Sequence, residues 1–215
     1  MGMALPTVKA AREYVGRFSD PSKMPGLSVG STSAKDCITG SKLRKVEGSV
    51  CEGCYAMKGR YRMDVVQNAL DRRRDALDKP DWVPNMVKGI NDNEWVRWHD
   101  SGDLQSLEHL EKIAKVAELT PKSNHWLPTR EVKFVSQYLR KHGEFPDNLC
   151  VRVSSAMVDG IPLARFRNTS TVHLNSKATG WVCPAPSQGG KCDGPDRECR
   201  ACWNKDVPNV SYYKH

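Results

Sequence analysis

Between Tyr61 and Leu77 the apolar residues Val65, Val66, Ala69, Leu70 and Leu77 recur close to helical spacing under a basic outer face, which predicts an amphipathic helix. Trp82, Met86 and Ile90 follow at intervals of four and predict a short helix that begins near Pro84. From Glu94 the character changes. Glu94 to His99 is rich in aromatic and β-branched residues, which predicts a strand running into the polar turn Asp100-Ser101-Gly102-Asp103. A helix with the stripe Leu107, Leu110, Ile113, Ala114 and Ala117 comes next, stopped before Pro121. A second pairing follows, with a strand over His125 to Thr129 and a helix over Glu131 to His142 closed by Gly143. Further strands are predicted at Leu149 to Ser154 and at Thr171 to Asn175.

Strand alternating with helix predicts an α/β fold, either a partial (β/α) barrel or an open, mostly parallel sheet covered by helices. The regular pattern fades near residue 180. The chain therefore reads as a core over 1–180, carrying a cysteine loop at 37–54, with an irregular cysteine-rich tail over 181–215 packed on it. In such folds ligands gather at the carboxyl ends of the strands, and those ends are polar here. They hold His99 to Asp103, Thr129-Arg130, Arg152 with Ser154, and His173 with Asn175. Arg130, Arg152 and His173 are candidates for holding an anionic substrate. Each could equally cap the next turn or helix, as Ser101 and Asp103 could through their side-chain oxygens.

Composition narrows the class. A chain of 215 residues with 39% hydrophobic and 27% charged residues suits one globular domain rather than a disordered segment. No apolar run is long enough to span a membrane and no signal sequence opens the chain, so a cytoplasmic protein is expected. In a reducing compartment the eight cysteines point to metal rather than to a disulfide framework. The formal charge of +8 favours a polyanionic partner such as nucleic acid or a nucleotide, although dispersed solvated lysines and arginines would give the same count.

The cysteines fall into two groups. Cys183, Cys192, Cys199 and Cys202 lie within about twenty residues of Pro, Gly and Asp that have little apolar surface to bury, so a metal centre would supply the missing folding energy. Zinc and an iron-sulfur cluster both accept four cysteines. Cys37, Cys51 and Cys54 offer three ligands, which leaves a coordination position open for water, substrate or cofactor. A fourth ligand from Cys150, a histidine or the tail would close that site instead. Cys150 itself sits in an apolar strand pattern that suits a buried thiol.

The run CEGCYAMKGRY, with WHDSGDLQSLEHLEKIA downstream and the cysteine tail, resembles the phage protein family described as gene product 88. That resemblance implies a viral origin and no particular reaction. Cys-x2-Cys-Tyr-Ala followed by a helix and a strand-end Ser-Gly-Asp is more distantly similar to compact relatives of the radical S-adenosylmethionine superfamily. This likeness implies a [4Fe-4S] cluster on Cys37, Cys51 and Cys54, whose open iron binds the amino and carboxylate groups of S-adenosylmethionine. Tyr55, Ser101, Gly102 and Asp103 would then be cofactor-binding residues, and the C-terminal four cysteines an auxiliary cluster. The spacing between the first two cysteines is longer than that superfamily's usual one. An electron donor such as ferredoxin or flavodoxin would serve a redox-active site.

The competing reading is a binding protein in which zinc or clusters staple basic loops against nucleic acid or a host partner. Trp203, Tyr212 and Tyr213 beside Lys205 and Lys214 would stack on bases, or else pack on the cysteine knuckle.

Overall fold

The computed structural model describes residues 6–194 and 198–214. Helix α1 covers Val8–Tyr14 and strand β1 Leu27–Val29. Helices α2 (Ile38–Leu43), α3 (Asp64–Ala76) and α4 (Trp82–Ile90) lead into β2 (Trp95–Trp98). Then come α5 (Leu107–Leu119), β3 (Asn124–Thr129), α6 (Val132–His142), β4 (Leu149–Val158) and β5 (Thr169–His173). Strands β6 (Trp181–Val182) and β7 (Asn209–Tyr213) complete the sheet. All strand pairs are parallel, in the order β1-β2-β3-β4-β5-β7-β6. The result is an α/β protein built on an open seven-stranded parallel sheet. Among the described residues no helix is long and apolar enough to cross a membrane.

Alternation along the strands sorts side chains onto two faces. Val96 and Trp98, Leu127, and Leu149, Val151 and Val153 point to the face covered by α4, α5 and α6, where they meet Met86, Ile90, Leu110, Ile113 and Val135 in the main core. The apolar stripe of α5 reaches that core because Ser106 caps its start, accepting the His109 N–H at 3.0 Å. The opposite face carries Trp95, Trp126 and Val210. It is covered by the chain around Cys199, Ala201, Cys202 and Trp203, whose indole N–H donates to the Val96 carbonyl at 3.0 Å. A parallel sheet is thereby buried on both faces, by helices on one side and by the cysteine tail on the other.

The C-terminal stretch departs from the irregular segment expected of it. Residues 209–213 form β7, inserted between β5 and β6. Strand β1 was also illegible, because three residues between Gly26 and Gly30 are too short to show a period. The strand expected at Thr171 begins two residues earlier, at Thr169.

Arg152, on β4, is fully buried beneath the tail. Its Nε donates to the Cys202 carbonyl at 2.9 Å. Nη1 donates to Val207 and Thr169, and Nη2 to Ala201 and Asn204. All five N–H groups of the guanidinium are therefore used on main-chain oxygens. The candidate role of Arg152 as an anion holder gives way to a structural one, because no donor is left for a substrate.

Candidate metal centre

The cysteine loop follows β1 and lies over the carboxyl ends of the strands. It is tied there by main-chain bonds from Val50 to Ala156 (3.0 Å) and from Val158 to Gly48 (2.9 Å). A second tether runs from the end of β3. Both carboxylate oxygens of buried Glu131 are engaged, one by the Thr39 N–H at 2.7 Å and the other by its hydroxyl at 2.8 Å. Thr39 lies in the first turn of α2, whose N-cap is Cys37, so this contact fixes the approach of Cys37.

Cys37 is close enough to Cys51 and Cys54 for all three to feel one another electrostatically. Gly40 lies between two of the sulfurs: a Cβ there would stand 3.6 Å from Cys37 Sγ, 3.7 Å from Cys51 Sγ and 3.0 Å from Cys37 Cβ. Burial, then Asp103 and the neighbouring cysteines, push the Cys37 thiol up to about 12. Burial also raises Cys51, against the opposing charge of Arg130. Such thiols are poor free nucleophiles, whereas a bound cationic centre deprotonates its thiol ligands. Among the described residues no group of three or more Cys, His, Asp or Glu side chains forms a ready ligand set for a metal ion. What the fold supplies is proximity, in two separate sets.

The second set is Cys183, Cys192, Cys199 and Cys202, whose mutual influence is felt at Cys192 and Cys202. Burial lifts the Cys202 thiol to about 12, opposed by a contact with the Tyr212 hydroxyl at 3.1 Å. Cys192 donates its N–H to the Lys23 carbonyl at 2.8 Å, and Cys199 donates to Cys192 at 3.0 Å. Cys150 is buried and stands apart from both sets.

The strand-end residues divide sharply. Ser101 Oγ donates to the Thr32 carbonyl at 2.8 Å, and its own carbonyl accepts the Thr32 N–H at 3.2 Å. Gly102 adopts φ +76°, and a Cβ would fall 2.1 Å from Thr32 Oγ1 and 2.8 Å from the Thr32 carbonyl oxygen. Ser101 thus binds the end of β2 to the loop after β1, and Gly102 leaves the room that Thr32 occupies. Gly102→Ala is expected to cost roughly 3 kcal/mol through positive φ and overpacking together, seen as a lower denaturant midpoint with an unchanged slope.

Asp103 alone of the three reaches toward the cysteines. It is buried, and its carboxylate accepts from Thr129 Oγ1 (2.5 Å), Leu104 N (2.8 Å) and Arg130 N (2.8 Å). Burial outweighs these bonds and lifts its carboxyl to about 6. Tyr55, directly after Cys54, is 60% exposed and donates its hydroxyl to the Asp100 carbonyl. Arg130 is felt at both Cys51 and Asp103. His173 lies on the face opposite the tail and pairs with Ser211 Oγ at 2.8 Å and with the Tyr213 ring. Its contacts among the described residues are with β7 and not with the cysteines.

Two contributors escaped the sequence reading. Glu131 looked like the start of a helix and is the anchor of the cysteine loop. Arg97 stands in mid-strand between two tryptophans, and nothing local to the sequence names its neighbours.

Comparison with known proteins yields one family and no further relative. No curated protein and no solved structure matches the chain. The family model described as Gene product 88 matches residues 7–205, which is 199 of the 215 residues and includes both cysteine groups. With the motifs that carry the resemblance lying inside the matched span, this chain belongs to the Gene product 88 family.

Proposed function

We propose that this protein holds a [4Fe-4S] cluster on Cys37, Cys51 and Cys54 and works with S-adenosylmethionine as a radical-type enzyme, with a second metal centre on the four C-terminal cysteines. The observation that carries the reading is the gathering of Cys37, Cys51 and Cys54 at the carboxyl end of a parallel sheet whose strands follow chain order through β5. Gly40, where even a Cβ would stand 3.0 Å from Cys37 Cβ, lets the helix backbone approach two of the sulfurs closely. When bound, the cluster with S-adenosylmethionine would supply one-electron chemistry, fed by a donor of the ferredoxin or flavodoxin class.

The chain's own residues have definite tasks in this reading. Glu131 and Thr39 orient α2 and hence Cys37. Arg130 places positive charge beside Cys51, where it favours the thiolate and attracts an anionic ligand. Asp103, with its carboxyl near 6, holds or releases a proton at its carboxylate around neutral pH. The tail, anchored by Arg152 and Trp203, keeps water from the second face of the sheet.

A metal-stapled nucleic-acid-binding protein is the second reading. Trp203 is buried and unavailable for stacking, but Tyr55 is exposed beside exposed Lys58, Arg60 and Arg62, which suits a single strand.

Anaerobic purification followed by iron, sulfide and zinc analysis tests the first reading. We expect iron with matching sulfide, and a reduced-cluster EPR signal that changes when S-adenosylmethionine is added. In Cys37→Ser/Cys51→Ser/Cys54→Ser the iron should fall, to about half if the tail also holds a cluster and to none if the tail holds zinc, and the response to S-adenosylmethionine should vanish. Stoichiometric zinc without iron, from cells grown with ample iron, would sink the radical reading and favour the second.

A further inference from the structure

Buried donors without acceptors are rare, because an unpaired N–H loses its water and gains nothing in return. Two of them sit side by side on the tail-covered face. Arg97 on β2 and Trp126 on β3 are register partners, and the guanidinium carbon of Arg97 stands 4.9 Å from the centre of the Trp126 ring. Arg97 Nε and Trp126 Nε1 are both enclosed, and neither has a hydrogen-bond partner. Trp126 is only 7% exposed, whereas Arg97 is half-buried and can be approached from solvent. Arg152, two strands away on the same face, has all five donors satisfied by contrast.

The position of the pair is telling. Tyr55, next to Cys54, lies against Arg97 on one side. On the other, Trp203 meets Trp126 edge-on at 5.3 Å, one residue from Cys202. The unpaired donors therefore lie between the two cysteine groups. Asp100, which acts on Tyr55 together with Arg97, accepts from the Tyr61 hydroxyl through Oδ2 at 3.3 Å, keeps an enclosed Oδ1 without a partner, and forms no ion pair with Arg97 among the described residues.

We propose that Arg97 and Trp126 form an oxyanion subsite that takes a phosphate or carboxylate group of the substrate. A charged guanidinium, of which Nη1 already reaches the Met24 sulfur at 4.0 Å, and an indole N–H at register-paired positions of adjacent strands would each donate to an acceptor group seated beside them. Arg130, whose Nε is likewise enclosed and unpartnered, adds positive charge beside Cys51. The assignment rests on the proposed function for its place beside the reaction site, but the anion chemistry stands on Arg97 and Trp126 alone.

Calorimetric titration of the full chain with inorganic phosphate and, separately, with acetate tests it, with the iron content of every sample measured. One of the two anions should bind with one-to-one stoichiometry. Trp126→Phe keeps the ring and removes one N–H, and should weaken binding roughly five- to tenfold. Arg97→Met should abolish it, and Arg97→Lys, which keeps the charge without the planar fork, should fall between. Circular dichroism and thermal melting of each variant identify any that fails to fold, and Trp126→Phe decides the matter if Arg97→Met does. The subsite is overturned if neither anion binds the wild type, so that the donors meet an enclosed water only. It is equally overturned if folded Trp126→Phe and Arg97→Lys both bind as the wild type does. Binding by iron-free protein would uphold the subsite while the cluster reading failed. Iron-loaded protein that ignores both anions would remove the subsite alone.

Discussion

Arg152→Met should lower the unfolding free energy by about 4 kcal/mol, in the upper range for breaking a buried hydrogen-bond network from one side. For a chain of this size that corresponds to a fall in melting temperature of about 8–16 °C. The reason is the asymmetry of hydrogen bonding. The methionine matches much of the volume of the side chain, but it strands the carbonyls of Thr169, Ala201, Cys202, Asn204 and Val207 in a site closed to water. Arg152→Lys should recover only part of the loss, because three donors on a point charge cannot reach oxygens spread around a planar fork. The same substitution should loosen the tail, so that in metal-free protein Cys199 and Cys202 react faster with a thiol reagent while Cys150 does not. A melting temperature within 2 °C of the wild type would mean that the tail is held by other contacts, chiefly Trp203.

Acid sensitivity is the second large effect. Burial lowers His99 and His125 to about 4, and lowers His109 well below its ordinary value. A histidine whose folded value is depressed binds its proton first in the unfolded chain. Stability is therefore complete above about 6.5 and is lost as the pH falls from there toward 4. At pH 5 the loss is about 2 kcal/mol for each of His99 and His125. Asp103 has the opposite sign, since its raised value lets the folded state take up a proton below about 6, and it returns about 1 kcal/mol. Denaturant unfolding of metal-free protein should thus show a clear loss of stability between pH 7 and pH 5. His125 is the cleaner probe. Its Nδ1 accepts the Trp98 indole N–H at 3.2 Å and its Nε2 meets Thr120 Oγ1 at 2.8 Å, so a second ring proton would face a donor. In His125→Gln the change in stability between pH 7 and pH 5 should shrink by about 2 kcal/mol, whatever the absolute stability of the variant. An undiminished pH dependence would show that His125 does not titrate in that window.

These two effects arise on opposite faces of one sheet, and they bear on the candidate site differently. The histidines stand with the helices, and His99 holds a left-handed φ of 54° at the end of β2, just before the turn that carries Asp103. Strain of that kind persists only where the surrounding contacts fix it, here the His99 N–H to the Val29 carbonyl at 3.1 Å and the Ser101 hydroxyl to the Thr32 carbonyl at 2.8 Å. Arg152 works through the tail and so governs the second cysteine set.

Local pattern settled a good part of this in advance. The helical stripes of α3, α5 and α6, the strands β2, β3 and β4, and hence a parallel α/β sheet follow from spacings of two and of three to four residues, which each segment carries by itself. The division of the cysteines into a group of three and a group of four was equally visible, since it is written in their spacing. Other features belong to the tertiary structure alone. Strand β7 takes its place between β5 and β6, Asp103 comes to the cysteine loop, Arg97 meets Trp126, and Arg152 turns from a candidate anion holder into the anchor of the tail. Each depends on a partner far away in sequence: Arg152 bonds to a carbonyl 50 residues on, and Glu131 to a threonine 92 residues back. A side chain's chemistry is fixed by its type, but whether its donors and charges are spent inside the fold or left for a ligand is decided by register and packing between distant segments.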